Sequence, residues 1–109
     1  VSDTEMEGHY HQFCKQILWK PFHYQLPDYP KPKGFEESAW KYYCKVNQLF
    51  ADMIVSRYRK GDIIWINDYH LMMVPEMVRK QLPNATIAFF LHIPFPSSEI
   101  FRCLSGILL

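Results

Sequence analysis

The side chains best suited to chemistry stand in two short segments. Asp68-Tyr69-His70 follows the apolar run Ile63-Ile64-Trp65-Ile66, and His92 follows the apolar run from Thr86 to Leu91. A carboxylate so placed can accept hydrogen bonds from ligand hydroxyls, and an imidazole can donate one near neutral pH. Each has an ordinary alternative. Aspartate just after a strand is also a favoured helix N-cap, and a histidine between an aromatic strand and two prolines can be a satisfied structural residue. The pair gains weight together, because a parallel fold would bring both segments to one cleft.

Other candidates are weaker. Asp68, His70 and His92 could be read as metal ligands, but no His-x-x-x-His and no second carboxylate cluster supports a metal site. His9 and His11 alternate on an expected helix, so they face different ways. Nothing in the sequence brings Cys14, Cys44 or Cys103 near a histidine, as a thiolate nucleophile would need. The four glycines are scattered and form no phosphate-cradling loop. Tyr10 and Trp19 are core aromatics on composition alone, although Trp19 beside Lys20-Pro21 could equally cover a sugar ring.

The elements that must position these residues read as follows. Ser2 and Glu5 form a capping-box pair that starts a helix, with Tyr10, Phe13 and Ile17 as its apolar stripe and Gly8 as a weak point. Pro21, Pro27, Pro30 and Pro32 make the stretch to Gly34 an extended connector. Ser38 is expected to cap a long helix to about Lys60. Its stripe of Trp40, Tyr43, Asn47, Phe50 and Ile54 is widened by Val46, Leu49 and Met53, a face broad enough to pack on a sheet. Gly61 ends that helix.

Asp62 to Asn67 and Thr86 to Leu91 are apolar without alternation, the pattern of strands buried on both faces of a parallel sheet. Between them Leu71 to Leu82 is helical, with Pro75 tolerable in its first turn. His92 to Pro96 form a rigid loop, and Ser97 or Ser98 caps a last helix. The sum is an α/β chain with a long helix before a parallel β-α-β unit. Ligands of such folds bind beyond the carboxyl ends of the strands, where Asp68-Tyr69-His70 and His92 both lie.

Composition narrows the class. The 109 residues carry a formal charge of +1, with 49% hydrophobic, 17% aromatic and 21% charged residues. So many aromatics exclude a disordered tail, and near-neutrality argues against a nucleic-acid partner. The longest apolar run, Ile87 to Leu91, is far short of the roughly twenty residues of a membrane span. Three cysteines without a C-x-x-C, and no secretory leader, point to a reduced, cytoplasmic setting. The start at Val1 and the apolar close at Ile107-Leu108-Leu109 are expected of a piece of something longer.

Several ordered motifs resemble one family. Trp65-Ile-Asn-Asp-Tyr-His-Leu-Met-Met-Val-Pro-Glu-Met77 and Phe89-Phe-Leu-His-Ile-Pro-Phe-Pro-Ser-Ser-Glu-Ile-Phe-Arg-Cys-Leu104 resemble the trehalose-6-phosphate synthases, the family-20 retaining glycosyltransferases. Leu18-Trp19, Phe22-His23-Tyr24 and Lys45 to Asp52 match the same family, so the resemblance covers Glu7 to Leu104. The linker from Phe22 to Pro30 is most similar to the larger fungal subunits of the trehalose synthase/phosphatase complex.

The resemblance implies a GT-B fold, of which residues 1–109 would be an incomplete, Rossmann-like part of the N-terminal, acceptor-side domain, with the UDP-binding domain absent. It implies transfer of glucose from UDP-glucose to glucose 6-phosphate, giving trehalose 6-phosphate and UDP. Tyr10 and Trp19 would contact the acceptor sugar. Asp68 and Tyr69 would hold acceptor hydroxyls, with Asp68 close to the transferring glucose, and His92 would bond the donor glucose near the reacting centre. Asp68 and His92 are thus the catalytic candidates. The resemblance implies neither metal nor cofactor, and it implies that the departing UDP phosphate takes the acceptor proton, so no protein general base is required. The implied partners are the two sugar substrates and other subunits of a trehalose synthase complex, with no nucleic acid and no membrane.

Some residues depart from the pattern. Asn67 stands where the synthases commonly have histidine, Lys20-Pro21 alters the start of the linker, and Ser105 to Leu109 do not continue the family sequence. Two other readings stay open: a non-catalytic subunit kept for assembly and regulation, and the synthase-like domain of a trehalose-6-phosphate phosphatase subunit. By themselves the 109 residues are expected to be inactive and not to fold stably.

Overall fold

The computed structural model describes residues 1–23 and 34–96. Helix α1 (Asp3–Met6) opens with the expected capping box: Ser2 Oγ accepts from the Glu5 N–H at 3.2 Å, and Glu5 Oε2 accepts from the Ser2 N–H at 2.7 Å. Lys45 Nζ, 2.9 Å from Glu5 Oε1, ties this corner to the long helix.

The helix then widens. Glu7–Leu18 is π-helical rather than α-helical, so its buried positions fall in the pairs Gly8-His9, Phe13-Cys14 and Ile17-Leu18. The expected stripe is corrected at its first member: His9 takes the buried place and Tyr10 is left half-buried. Gly8 is there for a reason. A Cβ on it would overlap the ring of Tyr42.

Helix α2 (Trp19–Phe22) carries the helical path past the point where a connector was expected, with Pro21 and Phe22 buried. The Trp19 N–H donates to the Cys14 carbonyl, so the helical path is continuous and Pro21 is accommodated within it. The remainder of that connector, and the last helix expected after Ser97 or Ser98, lie outside the described residues.

Helix α3 (Phe35–Arg57) starts at Gly34, whose φ of 83° turns the chain into it. Ser38 is inside the helix, its N–H donating to the Gly34 carbonyl at 2.9 Å, and so is not the cap. Among the described residues the broad face does not lie on a sheet. Ala39 and Tyr43 join Phe13, Leu18 and Phe22 in one core, and only Ala51 with Ile54 reaches the core that holds strand residues. Leu49, Phe50 and Met53 remain exposed. Tyr58 is extended, and Gly61, with φ of 96°, makes the turn into the sheet.

Strands β1 (Ile63–Asn67) and β2 (Thr86–Phe90) pair in parallel, from Ile63 opposite Thr86 to Asn67 opposite Phe90. Helix α4 (Val74–Gln81) joins them with Pro75 in its first turn. Arg79 Nη1 closes the return by donating to the carbonyls of Pro83 at 2.8 Å and Ala85 at 2.6 Å. Burial on both faces is corrected for both strands: in β1 Ile64 and Ile66 are buried, whereas Ile63 and Trp65 are 69% and 62% exposed, and in β2 no residue is fully buried. Among the described residues, helices cover one face of this pair. No described helix is long and apolar enough to cross a membrane.

Candidate functional site

The register decides which residues share a rim. Asn67 and Phe90 are the last paired positions, and the Asp68 N–H donates to the Phe90 carbonyl at 2.7 Å. Asp68 therefore leaves the carboxyl end of β1 where Leu91 and His92 leave that of β2. His92 is exposed and stands edge-on to Phe90, with ring centroids 5.0 Å apart. Asp68 and His92 share the rim through the strands, with no hydrogen bond joining them among the described residues.

Asp68 holds φ 68° and ψ 175°. That region is essentially reserved for glycine and costs other residues about 1–3 kcal/mol. Asp68 Oδ1 accepts from the Tyr69 N–H at 2.9 Å, capping the 3-10 turn Tyr69–Leu71. Both sequence readings of this residue are thus compatible: one oxygen caps the turn, and no described residue donates to the other.

Tyr69 turns inward. Its ring is buried between Phe22, at 5.5 Å, and His70, at 4.2 Å. Burial, then the neighbouring Cys14, Asp68 and Tyr10, push its phenol up to about 12. Tyr10 lies parallel to His70 at 5.8 Å, which brings it beside the same turn. Burial lowers the pKa of His70, and the Asp68 carboxylate opposes that shift. Trp19 is 43% exposed, with one face covered by His23 at 3.7 Å. Phe22, in the same short helix as Trp19, packs on Tyr69 and, at 5.6 Å, on Phe95 beyond β2. So α2 also belongs to this end of the molecule.

Three residues that sequence reasoning did not assign to the site grip the turn after Asp68. Tyr43 Oη donates to the Tyr69 carbonyl at 2.8 Å and accepts from the Met72 N–H at 3.1 Å. Asn47 Nδ2 donates to the His70 carbonyl at 3.2 Å, and its Oδ1 accepts from the Met73 N–H at 3.2 Å. His9 Nε2 bonds the same His70 carbonyl at 2.8 Å, and its ring is parallel to that of Tyr43. Burial lowers the pKa of His9, so the neutral ring is the donor. One signal was available: an amide such as Asn47 inside an apolar helix stripe must find buried partners.

An apolar pocket of about 370 Å³ adjoins this turn, lined by His9, Tyr10, Val46, Phe50, His70 and Leu71 among others. A larger one of about 480 Å³ lies at the opposite ends of the strands, around Gly61, Asp62 and Pro83. Among the described residues no three His, Cys, Asp or Glu side chains converge to hold a metal. Cys14 is buried and its thiol is pushed up to about 12 by that burial, so it is a packing residue, not a nucleophile. What the rim offers is a carboxylate that can accept hydrogen bonds, an exposed imidazole, and the partly exposed indole of Trp19, while the Tyr10 ring is engaged by His70 and by Lys15 Nζ at 4.9 Å.

The sequence pattern of Glycosyltransferase family 20 matches residues 1–107. The chain belongs to that family. It is 60% identical over 106 residues to the trehalose synthase complex regulatory subunit TPS3 of Saccharomyces cerevisiae, covering 97% of this chain and 10% of the other. It is 46% identical over 108 residues to the alpha,alpha-trehalose-phosphate synthase (UDP-forming) of Emericella nidulans, covering 95% and 21%. A solved E. coli trehalose-6-phosphate structure bound with UDP-2-fluoro glucose superposes with a TM-score of 0.83 and 40% identity, covering 96% and 22%. The family-20 chain thus spans about a tenth to a fifth of the length of the curated relatives it matches. Its helices and parallel β-α-β unit are an α/β part of the GT-B glycosyltransferase architecture.

Proposed function

We propose that this family-20 chain is the acceptor-side part of an alpha,alpha-trehalose-phosphate synthase domain of the UDP-forming type. The domain moves glucose from UDP-glucose to glucose 6-phosphate, and its UDP-binding half belongs to the parent protein beyond these residues. The observation that carries the reading is the rim itself. A strained aspartate and an exposed histidine leave adjacent parallel strands, with Tyr10 and Trp19 at the same end.

On this reading Asp68 accepts acceptor hydroxyls near the transferring glucose, and His92 hydrogen-bonds the donor glucose. Tyr10 and Trp19 pack on the acceptor ring, and Tyr69, whose ring is buried and whose backbone groups are taken by Asp68 and Tyr43, serves through its hydroxyl. The glycosidic bond to UDP breaks, the new bond forms to the acceptor oxygen, and the leaving phosphate takes the acceptor proton. Fixed dipoles and charge stabilise the oxocarbenium-like transition state. No metal or cofactor enters. The 109 residues alone would not transfer glucose, since the donor side is missing from them. The setting is a cytoplasmic trehalose synthase complex with other subunits as partners.

A second reading is favoured by the 60% identity to a regulatory subunit: the fold is kept for assembly, and the site is a relic. The test is UDP release by the purified full-length parent, given UDP-glucose and glucose 6-phosphate. Turnover by the parent alone supports the synthase. No turnover alone, with altered turnover of an added catalytic subunit, supports the regulatory reading.

A further inference from the structure

Asp68 occupies a backbone conformation that persists only where its surroundings over-determine it. The bonds made by Asp68 itself, to Phe90 and Tyr69, fix its two sides. Within the segment it leads into, the backbone contributes a long bond from the Leu71 N–H to the Asp68 carbonyl at 3.4 Å, and side chains supply the rest of the grip. Tyr43 and Asn47, one turn apart on α3 and both fully buried, each grip a carbonyl and an N–H of residues 69–73. His9 adds a third donor from the π-helical stretch. No group in this bracket is left over: among the described residues, every buried side-chain nitrogen and oxygen has a partner.

Satisfying an irregular segment's backbone would need only some partner for each group. This bracket does more, because its bonds reach four of the five residues immediately after the strained one (Tyr69, His70, Met72 and Met73), from two separate helices. We propose that Tyr43, Asn47 and His9 are positioning residues that hold Asp68 in its left-handed extended backbone and so aim its carboxylate at the rim. The use of that carboxylate in glucosyl transfer rests on the proposed function; the holding of the backbone does not.

The experiment uses the full-length parent in a double-mutant cycle of Tyr43→Phe and Asp68→Gly, read by thermal melting and by UDP release. Glycine relieves the strain, so Asp68→Gly should raise the melting temperature of the wild type. It should raise that of Tyr43→Phe less, because a loosened bracket no longer enforces the strain. Tyr43→Phe should also lower kcat about tenfold with little change in either KM, as expected when a reacting group is slightly misplaced. Val78→Ala, in the other core cluster, should lower the melt while leaving kcat unchanged. If Tyr43→Phe does not yield folded protein, Asn47→Ala takes its place in the cycle. Additive melting shifts would overturn the proposal, whatever the activity. Non-additive shifts in a parent without turnover would uphold the positioning and sink the synthase reading instead.

Discussion

The backbone N–H of Asp68 donates to the carbonyl of Phe90 at 2.7 Å, one residue beyond the last paired position of β1. This bond carries the sheet past its own end, into the segment where the polar residues begin. It makes the position of Asp68 depend on β2, and hence on the strand that delivers His92. A change that shifts either strand end moves both sides of the rim together.

The close approach of Gly8 to Tyr42 gives a first prediction. Alanine is ordinarily favoured over glycine in a helix by about 1 kcal/mol. Here the new Cβ would come within 2.6 Å of Tyr42 Cβ, the root of the side chain and not its flexible end. Overpacking of this kind costs about 1–3 kcal/mol. Gly8→Ala should therefore destabilise the full-length protein by about 1–2 kcal/mol in a denaturant titration, against the helix preference. A stabilised variant would mean the two helices part freely.

Local signals were legible and tertiary ones were not. The capping box of Ser2 and Glu5, Pro75 in the first turn of α4, and the two parallel strands all rest on short-range chemistry that sequence displays. The exchange of His9 for Tyr10 on the buried face was hidden because an α-helical period was assumed where the chain is π-helical. Ser38 offered a good cap, yet Gly34 caps the helix four residues before it, and Phe35 packs against the first core. The alternation of Ile63 and Trp65 with Ile64 and Ile66 depends on which face the helices cover, and a continuous apolar run cannot tell. Asp68 and His92 could be put on one rim from topology. The bracket of Tyr43, Asn47 and His9 could not, since its bonds join segments far apart in sequence.

His9 predicts a pH dependence. Burial holds its folded-state pKa below the ordinary value near 6.5. The unfolded chain therefore binds more protons as pH falls below about 6.5, and stability rises with pH through that window. The contribution is complete above about 6.5 and is lost as pH falls through the folded pKa. His70, lowered for the same reason, adds in the same sense. Melting temperatures of the parent at pH about 7.5 and about 5.5 should differ more for wild type than for His9→Gln. Equal differences would show that His9 titrates normally.

Cys14 predicts an absence of reactivity. A thiol pushed up to about 12 has a thiolate fraction near neutral pH about 10³-fold below that of a free cysteine. Iodoacetamide should leave Cys14 unmodified in the native parent and label it fully in denaturant, read by peptide mass spectrometry. Native labelling at the rate of a free thiol would contradict the buried core drawn around Phe13, Leu18 and Tyr43.

The most direct test of the central claim is the turnover of Asp68→Asn in the full-length parent. UDP release is followed with UDP-glucose and saturating glucose 6-phosphate, beside a thermal melt of the same preparation. Asparagine keeps the size and the oxygen that caps Tyr69, and removes the charge. The account predicts a melt close to wild type and a kcat lower by about 10²–10³, the usual cost of losing a group that stabilises transition-state charge. Turnover equal to wild type would contradict it, and would leave Asp68 as the cap of a turn and nothing more.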